Sequence, residues 1–336
     1  MKCSIVILNW NGEKMLREYL SSVVQHSALP DCEVVVADNG SSDNSVDFIQ
    51  KEFPSVRIIR LRHNYGFAEG YNRAIKQLKE SEYVVLLNSD VEVTEGWLQP
   101  VLDYMDAHPE VAAAQPKIRS LRQRDRFEHA GAAGGYLDRL GYPFCRGRIL
   151  SHVEEDRGQY DTMVDIFWAS GACMFVRREV YMKEGGLDER FFAHMEEIDL
   201  CWRLNCRGYR LVCIPDSTVY HLGGGSLQYE SPRKTYLNFR NNLLMIYKNM
   251  PRSRFWRVAI WRWLLDYAAM AHLVVTGKGK NAWAVVRARW DYHRMKPKYK
   301  ATRQENRAKA TVSYPATISN RSILWDYYFR GVKELG

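Results

Sequence analysis

Over the first 115 residues, short runs rich in Val, Ile and Leu alternate with longer amphipathic ones. The runs 3–8, 33–37, 56–61, 83–87 and 111–115 are of this kind and read as buried parallel strands. Between them, 13–26, 44–53, 68–79 and 95–108 show helical spacing, with Ser42 or Asp43 and Thr94 as N-caps of the second and fourth. Strand then helix, repeated, predicts an α/β domain in which helices cover both faces of a mostly parallel central sheet. Residues 116–160 are irregular, with Gly131, Gly134, Gly135, Gly141 and Gly147, and predict a long loop or a small insertion. Regularity returns with a strand over 167–176 broken at Ser170-Gly171, helices over 178–184 and 196–207, and a strand over 210–214.

Sheets of this kind bind ligands beyond the carboxyl ends of their strands. There the chain carries Asn9-Trp10-Asn11-Gly12, Asp38-Asn39-Gly40-Ser41-Ser42-Asp43, Arg62-His63-Asn64-Tyr65-Gly66-Phe67 and Asn88-Ser89-Asp90-Val91-Glu92. Any one of these segments would pass as a turn with an Asx cap. All four together argue for one polar cleft. Neither a GxGxxG after the first strand nor a GxxxxGK[ST] occurs, which argues against a nicotinamide dehydrogenase and a P-loop kinase. A nucleotide diphosphate can instead be bridged by a divalent cation, which needs a hard oxygen ligand at a strand end. Asp90 is suitably placed; Glu92 either shares the cation or faces solvent.

These segments, with Ser170-Gly171-Ala172-Cys173, Glu196-Glu197-Ile198-Asp199-Leu200-Cys201-Trp202-Arg203 and Tyr220-His221-Leu222-Gly223-Gly224-Gly225, resemble the inverting family 2 glycosyltransferases of GT-A fold, in their rhamnosyltransferase-like branch. The resemblance covers about residues 3–248. It implies that Leu8, Asn9 and Asn11 line a base and ribose pocket, that Asp38 accepts a hydrogen bond from a pyrimidine imide N–H, and that Gly66 lets the backbone approach the nucleotide. Asn88-Ser89-Asp90 looks like the family's Asp-x-Asp segment, whose last Asp binds Mg2+ or Mn2+ beside the diphosphate. His221 contacts the metal or diphosphate by the same resemblance, or is a structural hydrogen-bonder at a strand end. Arg233, Lys234 and Arg240 either neutralise the leaving diphosphate or form a solvated basic face. Acids at a helix start are favoured by the backbone dipole. The family nevertheless places its base at the second position of the Glu196-Glu197 pair, which makes Glu197 the base and Asp199 the helix-capping alternative.

Charge separates the two ends of the chain. Residues 1–230 hold 26 basic and 34 acidic residues, residues 231–336 hold 22 and 5, and six of the ten tryptophans lie in the latter. This divides the chain into a catalytic domain, 1–248, with a nucleotide-binding half (1–115) and an acceptor-side half (116–248), and a basic, Trp-rich helical extension, 249–336. Along 255–275, Arg257, Arg262, Asp266 and His272 interrupt the apolar residues, which argues against a membrane span. Trp256, Ile260, Trp263, Tyr267, Met270 and Val274 share one helical arc, which predicts a helix packed on the core or lying on an anionic membrane surface. No nucleic-acid motif accompanies the charge. Seven cysteines without a CxxC pair fit reduced thiols, and the apolar N-terminal run is too short for a signal peptide, so the expected address is cytoplasmic, peripheral on the inner face of the membrane. The function expected is transfer of a sugar from a dTDP- or UDP-sugar to a glycan or lipid-linked acceptor. Two alternatives are a sugar-1-phosphate nucleotidyltransferase, which lacks its Gly-rich, Arg-containing loop here, and a non-catalytic nucleotide-sugar-binding protein recruited to the membrane.

Overall fold

The computed structural model describes residues 1–223 and 231–335. Gly224 and Gly225 of the glycine triplet lie outside the described residues. The N-terminal half runs β1 (Cys3–Asn9), α1 (Glu13–His26), β2 (Cys32–Asp38), α2 (Ser45–Glu52), β3 (Arg57–Arg60), α3 (Gly66–Ile75), β4 (Tyr83–Leu87), β5 (Val91–Val93), α4 (Gln99–Ala107) and β6 (Val111–Ser120). Side chains alternate across each central strand and both faces are covered. Val6, Val35, Ala37, Val84 and Leu86 enter one core, while Ile5, Ile7, Val36, Val85 and Leu87 enter the other. A strand buried twice needs apolar residues at every position, which is why these runs show no alternation.

The irregular region folds into short strands β7 (Gly135–Leu137), β8 (Pro143–Cys145), β9 (Arg148–Ile149) and β10 (His152–Val153), a small antiparallel sheet of its own. The second half continues with β11 (Val164–Asp165), β12 (Cys173–Arg177), α5 (Arg178–Lys183), α6 (Glu196–Cys206) and β13 (Arg210–His221). The main sheet has the order β11-β13-β6-β12-β4-β1-β2-β3. Strands β1 to β4 are parallel, whereas β12 inserts antiparallel between β4 and β6. The expected strand over 167–176 therefore begins only at Cys173. Thr94 does not cap α4; its hydroxyl donates to Thr218 O at 2.7 Å, and the helix begins at Gln99. Asp43, by contrast, accepts from Ser45 N at 3.2 Å and from Glu13 N at 2.9 Å, holding the starts of α1 and α2 together.

The C-terminal helices are α7 (Pro232–Asn249), α8 (Arg252–Val275), α9 (Gly279–Met295), α10 (Lys300–Ala308) and α11 (Ile323–Phe329). The chain then returns to the small sheet, where Ser319 N donates to Leu137 O at 2.8 Å and Ile323 N to Asp138 Oδ2 at 3.2 Å. Helix α8 buries Arg262 and Asp266 together with Phe255 and Val258. Arg262 and Asp266 are 2% and 0% exposed, while Trp256, Ile260 and Trp263 are 63%, 61% and 53% exposed. Three partners explain the buried charges. Arg289 on α9 donates to Asp266 Oδ2 at 2.6 Å, Asn242 on α7 accepts from Arg262, and the Arg262 guanidinium lies 4.0 Å from the centre of the Tyr142 ring. A buried ion pair with its remaining donors satisfied is tolerated, and it locks α8 to α7 and α9.

Candidate active site

Parallel pairing of β1 with β2 sets Asn9 opposite Asp38 at the carboxyl end of the sheet. Both are buried. Asn9 Nδ2 reaches Asp38 Oδ1 at 3.3 Å, Ser41 Oγ at 3.1 Å and Ser45 Oγ at 2.9 Å, and Asn9 Oδ1 is left without a partner. Asn11, at φ 50°, accepts from Ser42 N at 2.7 Å and so closes the loop after β2 over the loop after β1. Leu8 packs against Gly70, where a Cβ would stand 2.9 Å from its Cδ1. Asn39 holds the next loop: its Nδ2 donates to Asn64 Oδ1 at 3.1 Å and Gly66 O at 3.0 Å, and its Oδ1 accepts from Tyr65 N at 3.0 Å. Gly66 has φ 79°, and the space beside it is taken by the Phe192 ring, which a Cβ would meet at 2.8 Å. Leu8, Asn9, Asn11, Asp38 and Gly66 are thus brought together at the carboxyl end of the sheet.

At the end of β4, Asn88 is held by its N–H to Ala172 O at 3.0 Å, and Asp90 O accepts from Leu222 N at 3.0 Å. Half-buried Ser89 lies beside Gly12. Antiparallel pairing of β13 with β5 sets His221 opposite Val91, next to Asp90. His221 Nε2 lies 3.2 Å from Asp90 Oδ1 and 3.5 Å from Asn88 Nδ2; its Nδ1 lies 3.6 Å from Glu128 Oε1. Burial opposes the charge on His221, but Glu128 and Asp90 outweigh it and lift the imidazole to about 10. Burial likewise opposes ionisation of Glu128, but His221 and the Ala130 N–H hold it down at about 2. His221 Nε2–H and Asp90 Oδ1 form a hydrogen-bonded ion pair, so a cation held by both would take the place of the Nε2 proton, with Glu128 behind the imidazole as the carboxylate that orients it. Among the described residues no group of three metal-ligating side chains converges. The pair therefore suits a cation that takes its remaining ligands from phosphate oxygens and water.

The loop into α6 is strained. Phe192, His194 and Met195 have φ of 68°, 70° and 73°, in the left-handed region that non-glycine residues enter at a cost. Asn241 on α7, 0% exposed, holds the loop there through its Nδ2, which donates to Phe191 O at 3.0 Å, Ala193 O at 2.9 Å and His194 O at 2.8 Å. Glu196 and Glu197 follow, each with one buried carboxylate oxygen that has no partner. Burial raises Glu196 well above the usual carboxylate range and Glu197 to about 7. Gly171 separates Glu197 from Phe67: a Cβ on it would stand 3.8 Å from Glu197 Cβ and 3.4 Å from Phe67 Cζ.

Asp199 has a different setting. It is 0% exposed, receives Lys248 Nζ at 2.6 Å, Asn249 Nδ2 at 2.8 Å and Arg203 Nε at 3.3 Å, and so anchors α6 to α7 with its acceptor capacity used. Arg233 lies 5.1 Å from the centre of the Phe192 ring, and Arg240 donates to Phe191 O at 3.0 Å; both line a separate pocket behind this loop. Lys234 is the α7 cation within electrostatic reach of Glu128, His129 and His194, and burial lowers its pKa. Glu128 and Asn241 are the residues that sequence reasoning missed, and Asn39, part of a quoted strand-end segment, had no role assigned to it.

A glycosyl transferase family 2 model matches residues 4–185. An N-acetylglucosaminyl-diphospho-decaprenol L-rhamnosyltransferase of Mycobacterium tuberculosis is 28% identical over 287 residues, covering 81% of this chain and 92% of that protein. The rhamnosyltransferase WbbL of Escherichia coli K12 is 26% identical over 167 residues, 47% of this chain and 61% of its own. Among solved structures, Staphylococcus aureus TarS 1–349 in complex with UDP-GlcNAc superposes with a TM-score of 0.58 at 17% identity, covering 92% of this chain and 88% of that one. GalNAc-T7 with UDP, GalNAc and Mn2+ gives 0.57 at 17% identity, covering 75% and 48%. The fold, the four strand-end segments and the family match agree: this chain is a glycosyltransferase of family 2, with the GT-A fold and rhamnosyltransferases among its relatives.

Proposed function

We propose that the protein transfers a sugar, with inversion, from a dTDP- or UDP-sugar to a hydroxyl of a glycan or lipid-linked acceptor in the synthesis of a cell-surface polysaccharide. The observation that carries this reading is the half-buried Glu197, whose Cβ lies beside Gly171 and one of whose carboxylate oxygens is buried without a partner. A carboxylate with a pKa of about 7 is matched to accepting a proton at neutral pH. In the step proposed, the acceptor oxygen attacks the anomeric carbon as its proton passes to Glu197. The bond from that carbon to the diphosphate breaks, and the nucleoside diphosphate leaves with the electron pair. Asn9, Asn11 and Asp38 orient the nucleoside, and Leu8 packs its base. A bound Mg2+ or Mn2+ would neutralise charge on the diphosphate, and Asp90 and His221 are the side chains that would hold it. A relative that acts on a diphospho-decaprenol sugar supports a lipid-linked acceptor.

Attachment to a membrane surface through the C-terminal helices is part of the same reading. Arg252–Val275 is long and apolar enough to cross a membrane by length and composition alone, with a mean hydropathy of 1.3 in its best window. Arg262 and Asp266 in mid-helix, tied to Arg289, favour a helix lying along the interface, its exposed Trp256, Ile260 and Trp263 facing the acyl chains. The test of the donor site is calorimetry with dTDP- and UDP-sugars in Mn2+. Asp90→Ala is expected to abolish metal-dependent donor binding, and unchanged affinity would remove Asp90 and His221 from the cation site.

A further inference from the structure

Asn241 sits on the buried face of α7, with Leu237, Leu244 and Met245 one turn before and after it. An asparagine there is a poor helix residue and costly to bury unless its amide is fully bonded. Here it is. Nδ2 shares its two N–H groups among the carbonyls of Phe191, Ala193 and His194, at 3.0, 2.9 and 2.8 Å, and Oδ1 accepts from Arg240 Nε at 2.8 Å. The turn that brings these three carbonyls to one point holds Phe192, His194 and Met195 at positive φ. A strained turn of this kind persists only where its surroundings over-determine it, and such turns concentrate at functional sites.

What this turn delivers is the start of α6. Met195 is the residue before the helix, left-handed at φ 73° and ψ −4°. Its carbonyl accepts from Asp199 N at 2.9 Å, the bond that closes the turn carrying Glu196 and Glu197. From Asp199 onward the helix is fixed by Lys248, Asn249 and Arg203. Before Asp199, the support of that first turn is the strained loop, and the loop is held by Asn241. Its opposite side meets the strand-end segment at Gly66, where Phe192 O accepts from Phe67 N at 3.1 Å. Helix α7 lies beyond residues 4–185, the part that the family model matches.

We propose that Asn241 is a positioning residue for the transfer reaction: its side-chain N–H groups impose the left-handed turn that aims Glu197. This rests on the reading of Glu197 as the base and adds a residue that acts through it. The test is Asn241→Asp in the full chain, which keeps the side chain's shape and its bond to Arg240 but offers the three carbonyls no N–H. Asn241→Ala, which also lacks the donors, serves if the first variant does not fold. Calorimetry with the donor counts competent sites, and kcat is expressed per site. That kcat is expected to fall about ten- to hundredfold while the donor Kd stays within about twofold. Adding Met195→Gly is expected to recover kcat by about threefold or more, because glycine takes a left-handed φ without cost and is accepted at the residue before a helix. Met195→Gly alone is expected to leave wild-type kcat no higher. An unchanged kcat per site overturns the proposal. So does a donor Kd that rises as far as kcat falls, which would make the loop a wall of the donor site, and so does a lack of recovery with Met195→Gly, which would reduce Asn241 to packing. A wild type that turns over no dTDP- or UDP-sugar shows itself before any variant is made; the transferase reading then fails and takes the proposal with it.

Discussion

Replacing Glu197 by Gln removes the proton acceptor while keeping the side chain's volume, and two effects of opposite sign are expected. Burial lifts the carboxyl from its ordinary 4.5 to about 7, so holding it ionised in the folded chain costs on the order of 3 kcal/mol. The unfolded carboxyl ionises above 4.5 while the folded one stays protonated to about 7, so the penalty opens across that window and is constant above it. Its buried Oε2 has no partner, so the amide forfeits no hydrogen bond there. Glu197→Gln is therefore expected to be more stable than the wild type at pH 8, by up to on the order of 3 kcal/mol, and equal to it at pH 4. Transfer moves the other way, since loss of a general base costs about 10²- to 10⁴-fold in kcat. In the wild type only the carboxylate accepts the proton, so the rate falls below pH 7 and at pH 5.5 reaches roughly 3% of its plateau. Urea unfolding at both pH values and a pH profile of transfer from dTDP- and UDP-sugars measure these. A variant that retains full transfer, a wild-type acid limb centred near pH 4.5, or a variant less stable at pH 8 would each refute the reasoning.

Strands β1, β2 and β4 and helix α1 were legible in the sequence because a doubly buried strand and an amphipathic helix leave distinct hydrophobic patterns, whereas β3, expected to be buried, is the sheet's edge strand with Arg57 and Arg60 exposed. The direction of β12 was not legible, since a strand buried on both faces reads the same in parallel and antiparallel pairings. Glu197 and His221 are singled out in the sequence by motif resemblance, but Glu128 is not: it lies in a Gly-rich stretch, and its partner His221 is far along the chain. The left-handed Phe192, His194 and Met195 carry no local signal, because Asn241 on α7 imposes their geometry from outside. Periodicity gave α8 its two faces without saying which one is buried. That was decided by Arg289 and Asn242, which give Arg262 and Asp266 partners and leave the tryptophans outside. Asp199 shows the same limit: its spacing from Glu197 fits a cleft acid or a cap, and only the position of Lys248 makes it an anchor.

Changing Trp256, Ile260 and Trp263 together to Ser is expected to lower flotation with phosphatidylglycerol vesicles at least tenfold while leaving Tm within about 2 °C, since all three side chains are over half exposed. Unchanged flotation would remove α8 from any membrane contact. Lys248→Met tests the Asp199 anchor that ties α6 to α7. Lys248 is 1% exposed and donates to Asp188 Oδ2 and to Asp199 Oδ2, each at 2.6 Å. Burial opposes ionisation of Asp188, but Lys248 and Arg190 hold its carboxyl down at about 2. Methionine fills the space and leaves two buried carboxylates short of a cation, a change that costs about 3–5 kcal/mol at pH 7. The wild-type share held by Asp188 is present above its ordinary 3.8 and is lost as pH falls through about 2. Without the lysine the Asp188 carboxyl protonates more readily, so the deficit in urea unfolding is expected to shrink between pH 7 and pH 3. A deficit that stayed constant over that range would place the loss in packing around Phe191 and Tyr299, whose rings the ammonium overlies, and not in the ion pairs.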